Sequence, residues 1–465
     1  MFCGARAISR LDACRAIGRA VSGSRGRARF FSTHRHHPLR GVDTPAVVLE
    51  RRALDRNISR MAALASRHAV SLRPHIKTHK SLRIAALQRA AGAVGVTCAK
   101  PSEAELFLRH GHDVLLAFPV PCRHKLLRVL RAARDATGGG GGFGAVCVMV
   151  DSAECVAACA DAAAEVVGMA GGGGDGPAVD VLIKVDSGLH RCGVPPDGPE
   201  LPALVEAVRR RPGVLRLRGL MTHAGHAYGA ADAAGCAAIA AAESALMRNA
   251  QKHAGLGGGG GGGGGVLSVG STLTELARCG VEGGGGFGGL GGLAEMRPGN
   301  YVFMDGTPLR LGLCAPADVA LTVLATVVST NAHHAIVDAG SKVLSSDQGA
   351  HGSGGARGYG VAWSLGGEEA WHFGGADCTT DVALDEERKR LVASGWTIAK
   401  LSEEHGWIEL GDALPAGART PAIGERVRIL PNHSCPVANL ADEYVVLGRD
   451  GALERWPVDA RGCTT

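Results

Sequence analysis

Aromatic side chains are scarce in this sequence, only 4% of residues, which argues against a stacking platform for single-stranded nucleic acid. Long apolar runs are missing as well. No stretch approaches the ~18 uninterrupted apolar residues of a membrane helix, so an integral membrane protein is not expected. Acids are nearly absent from the first forty positions, where nine Arg meet a single carboxylate, Asp12. That segment carries a net +8 against a whole-chain charge of +6, so the rest of the chain is mildly acidic. A mildly acidic body has no electrostatic footprint for nucleic acid. The 14 Cys lack disulfide-framework spacing, and no secretory signal precedes them, so they are read as reduced intracellular thiols.

What is abundant is informative in turn. With 465 residues and 46% hydrophobic content, the chain can form more than one domain, because single cores stop growing near ~250–300 residues. Gly reaches 70 of 465, about twice its usual ~7%. Runs stand at 138–142, 171–174, 257–265 and 283–286; no Gly-x-y period exists, which excludes collagen. These runs fall at connections and are read as flexible insertions without chemistry, since poly-Gly loses too much backbone entropy in an ordered element. The first forty residues are Arg-rich, Ser-containing and acid-poor, as organelle presequences are. Ile8, Leu11, Ile17 and Val21 recur among Arg6, Arg10, Arg15 and Arg19 at roughly helical spacing, which predicts an amphipathic basic helix. The stretch 27–33 looks like a mitochondrial processing site. Residues 1–40 are therefore expected to be a transit peptide, mitochondrial before plastid.

From residue 44 strands and helices alternate. Strand-like runs stand at Ala46–Leu49, Leu72–Lys77, Val94–Thr97, Val114–Phe118, Val146–Val150, Val179–Val185, Val214–Met221 and Val266–Val269. Ala-, Leu- and Arg-rich helical segments separate them. This predicts an α/β fold, a (β/α)8 TIM-type barrel over residues 41–314. An open doubly wound sheet is the alternative, but no Gly-rich dinucleotide fingerprint follows the first strand. Beyond about residue 315, runs at Val319–Val328, Ala335–Ala339, Val427–Leu430 and Tyr444–Leu447 predict a β-rich domain over 315–465.

Chemistry concentrates in two stretches. The first is Arg73-Pro74-His75-Ile76-Lys77-Thr78-His79-Lys80. On a strand, alternate residues share a face, so His75 and Lys77 are expected to point together into the barrel mouth. A lysine among other cations has a depressed pKa and can form a Schiff base; the bland alternative is a basic strand end facing solvent. The second is Pro431-Asn432-His433-Ser434-Cys435-Pro436. Imidazole plus thiolate at i and i+2 suits zinc with open positions, although such pairs are commonly accidental.

The two stretches belong to a longer ordered set: Asp43-Thr44-Pro45-Ala46, the segment Val185–Val194 (VDSGLHRCGV), His223–Tyr228 (HAGHAY), Ser268–Thr272 (SVGST), Arg297–Tyr301 (RPGNY), Asp338–Lys342 (DAGSK) and Glu403–Gly406 (EEHG). In this order the set resembles the fold-type III pyridoxal-phosphate enzymes related to alanine racemase. Within them it is most similar to the metal-dependent D-serine dehydratases and D-threonine aldolases, over nearly all of Asp43–Arg461. The resemblance implies that Lys77 holds pyridoxal 5'-phosphate. It implies that Gly270, Ser271 and Thr272 bind the cofactor phosphate, a nest-like anion site, with Tyr301 near it. Arg191 matches an arginine near the pyridine ring, and His433 and Cys435 match two ligands of a divalent metal, read as zinc. Met221 departs from the dehydratase pattern, in which a tyrosine faces the pyridine nitrogen. Met cannot donate a hydrogen bond, which leaves that role to His223 or a water, or to altered ring electronics.

The implied activity is lysis of a β-hydroxy-D-amino acid, D-serine to pyruvate and ammonia. D-threonine cleavage to glycine and acetaldehyde is the alternative. The dehydratase branch resembles His-x-Cys and the bacterial aldolases His-x-Asp, so Cys435 favours dehydration. A non-catalytic role in pyridoxal-phosphate homeostasis is the third reading, disfavoured by the second domain and its metal pair. A homodimer is implied, with a small-molecule substrate and neither nucleic acid nor membrane as partner.

Overall fold

The computed structural model describes residues 37–137, 143, 145–168, 178–256, 265–280, 294–349, 357–365, 395–410 and 419–465. The basic helix expected before residue 37 and the glycine runs, apart from Gly265, lie outside the described residues.

Apolar spacing builds the helices. In Arg51–Arg67 the buried positions Ala53, Leu54, Asn57, Ile58, Met61, Leu64 and Ala65 repeat every three or four residues, one stripe of a helix. Arg123–Ala136 buries Leu126, Leu127, Val129, Leu130, Ala132 and Ala133 in the same way. Among the described residues no helix is long and apolar enough to cross a membrane. Between the helices lie short, largely apolar runs, eight of which pair as parallel strands. The first strand is β1 (Ala46–Glu50). There follow β2 (Ser71–Leu72), β3 (Val96–Cys98), β4 (Val114–Leu116), β5 (Val146–Val150), β6 (Val179–Lys184), β7 (Leu215–Met221), β8 (Val266–Val269) and β9 (Ala294–Met296). Strands β2 to β9 form an 8-stranded parallel sheet in the order β2-β9-β8-β7-β6-β5-β4-β3. Its edges meet, because Val94 N donates to Leu72 O at 2.9 Å, Thr97 N donates to Pro74 O at 2.7 Å, and His75 bridges Thr97.

The expected barrel is present, but its membership differs from expectation. The run Ala46–Leu49 does not enter it. β1 pairs antiparallel with β10 (Leu321–Thr330), Ala46 opposite Leu324, and parallel with β16 (Glu443–Leu447), Val48 opposite Val445. A run buried on both faces announces a strand without naming its sheet. The missing barrel strand is β9, Ala-Glu-Met, too short to signal itself and carrying an acid. Glu295 is accommodated there because Arg73 Nε and Ser268 Oγ donate to it at 2.7 and 2.6 Å.

The β-rich region adds β11 (His334–Val337), β12 (Gly360–Ser364), β13 (Trp396–Leu401), β14 (Gly406–Glu409), β15 (Arg426–Pro431) and β17 (Leu453–Pro457). The order β11-β14-β13-β12-β15-β10, with β10 pairing back to β11, closes an antiparallel barrel that β1, β16 and β17 extend. The boundary expected at 314/315 is thus crossed by β1.

The boundary expected after residue 40 also moves. Leu39 in the turn Pro38–Gly41 is fully buried with Val42, Val48, Leu324, Leu365 and Val445. Arg426 Nη1 donates to Leu39 O at 3.2 Å. Residues 37–40 therefore belong to the folded body. Leu39→Ala is expected to cost about 2–5 kcal/mol of stability, the usual penalty for emptying a leucine site. Urea unfolding should place a chain beginning at residue 41 well below one beginning at residue 37; equal midpoints would refute this.

Candidate active site

The turn after β2 builds the first half of the site. The strand expected through Lys77 ends at Leu72, and Ile76–Thr78 is a 3-10 turn instead. The side chain of His75 makes this turn: its Nδ1 accepts Lys77 N at 3.4 Å. His75 and Lys77 are still brought together, by a turn and not by strand alternation. Lys77 is half-buried. Burial lowers its ammonium pKa, Cys435 opposes that shift, and Arg191 adds to it. Burial also holds His75 neutral, helped by Lys77, Arg297 and Arg191. Lys80 is engaged elsewhere: its Nζ lies 3.4 Å from buried Glu103 and donates to Cys463 O at 3.2 Å.

The second half is the end of β8. Gly270 has φ +115°, where a side chain would be strained, and a Cβ there would stand 2.7 Å from Glu275 Oε1. Ser271 and Thr272 then open the helix Thr272–Gly280. A buried network underlies the turn. Arg278 Nη2 lies 2.7 Å from Glu243 Oε2, and Glu243 Oε1 accepts Ala224 N at 3.3 Å and Gly270 N at 3.4 Å. The network ties the ends of β7 and β8 together. Tyr301 donates its backbone N–H to Thr272 Oγ1 at 3.1 Å, but its hydroxyl accepts from Gln88 Nε2 at 3.0 Å. Tyr301 thus supports this loop through its backbone, and its hydroxyl, accepting from Gln88, keeps its own proton to donate. Tyr228, which the sequence reading did not single out, hydrogen-bonds Thr272 through its side chain.

His223 Nδ1 lies 2.9 Å from Gly270 O, so it donates there. Burial, Lys77 and Lys184 keep the ring neutral, which makes Nε2 an acceptor. Met221 packs with Leu115, Met149 and Leu182 as core. Arg191 sits in a loop shaped by Asp186, whose Oδ1 accepts Gly188 N at 3.0 Å and His190 N at 3.1 Å. Arg191 lines a small cavity with Lys184, Cys192 and His223. Lys184, also missed from the sequence, is buried at the end of β6. Burial, with Arg297 next, lowers its pKa to about 7. Among the described residues no carboxylate pairs with Lys184 or Arg191. Lys184 gives no signal in the sequence, since it simply ends an apolar run.

The β-rich body supplies the third part. β15 runs into the helix Ser434–Leu440, with His433 as its extended N-terminal residue. Asp305 anchors this corner: its Oδ2 accepts Ser434 N at 2.8 Å, and its Oδ1 accepts Thr307 N at 3.0 Å. The helix packs on the turn Ile76–Thr78, and Cys435 Sγ stands 3.3 Å from Thr78 Oγ1. Burial alone would push the Cys435 thiol up, but His433 and Lys77 draw it below its usual value. Burial disfavours the His433 cation, yet Cys435 and then Asp347 raise its pKa to about 10. Asp347 Oδ2 lies 2.8 Å from His433 Nδ1. Among the described residues no third His, Cys, Asp or Glu completes a metal cluster, so the protein side of such a site is this pair.

The residues fit both groups that the sequence suggested. An excess of cations from Lys77, Lys184, Arg191 and Arg297 suits a phosphorylated cofactor. His226 Nδ1 and Ser187 Oγ, on the neighbouring loops, are buried without a hydrogen-bond partner among the described residues, as polar atoms facing a polar ligand are. A thiolate beside an imidazole suits a soft divalent ion.

Comparison with known proteins agrees. Residues 49–280 match the alanine racemase N-terminal domain and residues 320–447 the putative serine dehydratase domain. D-threo-3-hydroxyaspartate dehydratase of Delftia sp. (strain HT23) is 34% identical over 424 residues, 89% of this chain and 97% of that protein. Its structure superposes with a TM-score of 0.71, covering 90% of this chain and 97% of that one. A cysteine-to-alanine mutant of that dehydratase is known in a metal-free form. D-threonine aldolase of Arthrobacter sp. is 30% identical, covering 91% of this chain and 94% of its own length. D-serine dehydratase of Dictyostelium discoideum is 26% identical, covering 89% and 96%. With this likeness running through both domains, the chain belongs to the alanine racemase-like, fold-type III family of pyridoxal-phosphate-dependent lyases acting on D-amino acids.

Proposed function

We propose that the protein is a pyridoxal-phosphate- and metal-dependent lyase of β-hydroxy-D-amino acids, converting D-serine to pyruvate and ammonia. One observation carries this reading: Cys435 Sγ lies 3.3 Å from Thr78 Oγ1, next in sequence to Lys77, and the charges of Cys435 and Lys77 act on each other. Bound there, the cofactor supplies an electron sink at the substrate Cα and a divalent ion, zinc by its ligands, supplies a Lewis acid. Gly270, Ser271 and Thr272 hold the cofactor phosphate, with Tyr228 and the Tyr301 backbone supporting Thr272. Arg191 and His223 would stand near the pyridine ring. His223 Nε2, an acceptor, would not donate to the ring nitrogen in place of a tyrosine, which leaves that role to a water or to altered ring electronics. Lys77 Nζ, its pKa lowered by burial, takes the proton from the substrate Cα. His433 and Cys435 hold the ion, and the helix carrying Cys435 shields the lysine from bulk water.

The His-x-Cys pair favours dehydration over aldol cleavage. A second reading keeps the chemistry and enlarges the substrate. Lys184 and Arg191 have no carboxylate partner among the described residues, which suits a substrate with a second carboxylate such as 3-hydroxy-D-aspartate. Incubating the holoenzyme with D-serine, D-threonine and D-threo-3-hydroxyaspartate, then assaying ammonia, 2-oxo acids and glycine, separates these readings. Ammonia with pyruvate from D-serine is the expected result; glycine from D-threonine without ammonia would make the protein an aldolase. The homodimer and the mitochondrial address belong to the same reading, checked by light scattering and by a fluorescent fusion to residues 1–40.

A further inference from the structure

The loop after the Asp338–Lys342 motif has no part in the chemistry above, yet it reaches the metal pair. Gly340 packs so tightly on the Glu403 carbonyl that a Cβ would overlap it. The short helix Ser341–Leu344 buries Leu344 and so pins the loop that follows. In that loop Asp347 is held at both ends. Its N–H donates to Ser345 Oγ at 3.0 Å, and its Oδ1 accepts Gly349 N at 3.0 Å. Its remaining oxygen, Oδ2, meets His433 Nδ1 at 2.8 Å. The other carboxylate near this imidazole, Asp305, is occupied by Ser434 N, Thr307 N and Asn300 Nδ2. Asp305 anchors the backbone, and Asp347 is the carboxylate that grips the ring.

We propose that Asp347 is the positioning residue of the metal pair, holding the Nδ1 proton of His433 so that Nε2 presents its lone pair beside the Cys435 sulfur. An imidazole that ligates a metal is neutral and can carry its one proton on either nitrogen, and its ring can turn over about χ2. A carboxylate on Nδ1 selects one tautomer and one orientation, and it makes the opposite nitrogen a stronger donor. Among the described residues the site has this pair of protein ligands, so misdirecting one removes half of that grip. This inference rests on reading His433 and Cys435 as metal ligands.

The test is Zn²⁺ affinity of the cofactor-loaded protein, measured by competition with a chromophoric chelator. Asp347→Ala should weaken Zn²⁺ binding about 10- to 100-fold, the usual cost of losing such a partner. Asp347→Asn, the same size but uncharged, should weaken it less. The cofactor absorbance should not change in either variant, because Asp347 lies on a partly exposed loop and bonds the metal pair through His433. Zn²⁺ affinities of both variants within about threefold of wild type would overturn the proposal, since that is far below the expected loss. Wild-type protein that binds no Zn²⁺ would instead overturn the metal reading itself, and the role of Asp347 with it.

Discussion

Lys77→Ala protein is expected to lose both the cofactor's near-visible absorbance band and at least about a thousandfold in kcat/KM, because one amine serves as cofactor anchor and proton acceptor. Lys80→Ala should behave in the opposite way. Lys80 Nζ faces Glu103 at 3.4 Å, with both side chains buried. Removing the lysine leaves an uncompensated buried carboxylate, which costs about 3–5 kcal/mol. The expected signature is a lower unfolding midpoint with the absorbance band intact. A band lost in Lys80→Ala and kept in Lys77→Ala would sink the assignment. A pH profile sharpens the test. Burial, with Arg191 beside it, depresses the Lys77 pKa, so its free amine appears at lower pH than that of an exposed lysine. The rate of cofactor capture by stripped protein should therefore rise with pH through that lowered pKa. Arg191→Ala removes a neighbouring cation, raises the lysine pKa, and should move the rise to higher pH.

Stripping the metal should suppress ammonia release by about a thousandfold, corresponding to the several kcal/mol that a Lewis acid contributes to a leaving hydroxyl. The cofactor band should barely change, since Lys77 is not one of the proposed metal ligands. Cys435→Asp replaces a soft ligand by a hard one and should shift preference from Zn²⁺ toward Mn²⁺. We also expect it to raise glycine formation relative to ammonia. The measurements are metal content by elemental analysis and product ratios for wild type and variant. Full ammonia release from metal-free protein would remove the Lewis-acid role.

Parts of the site could be read from residues because their chemistry is local. Lys77 stands in a run of cations, whereas the His433 and Cys435 pair, weak by itself, gains weight from the ordered set of motifs around it. Gly270 and Thr272 lie where a strand meets a helix. Other residues had no such signal. Lys184 ends an apolar run and is unusual only once it is buried. Tyr228 gains meaning from its bond to Thr272, and the backbone bond of Tyr301 to the same residue could not be read from the sequence. Asp347 lies 86 residues from His433, and nothing near it in sequence indicates a partner.

The sequence by itself determined the alternation of strands and helices, the change to a β-rich second body, and the identities of lysine, imidazole and thiol. Each depends on periodicity or residue type within a few positions, which short-range sterics and burial enforce. Only the tertiary structure decided that β1 leaves the barrel for β10 and β16, and that Ala294–Met296 takes its place. It also decided that Leu39 joins the folded core and that Thr78 meets Cys435 across 357 residues. The reason is the same in each case. A buried strand has backbone donors and acceptors to satisfy on both edges, and many partners would satisfy them equally well locally. Which partner wins, and therefore which charges face each other, is settled by packing the whole chain at once.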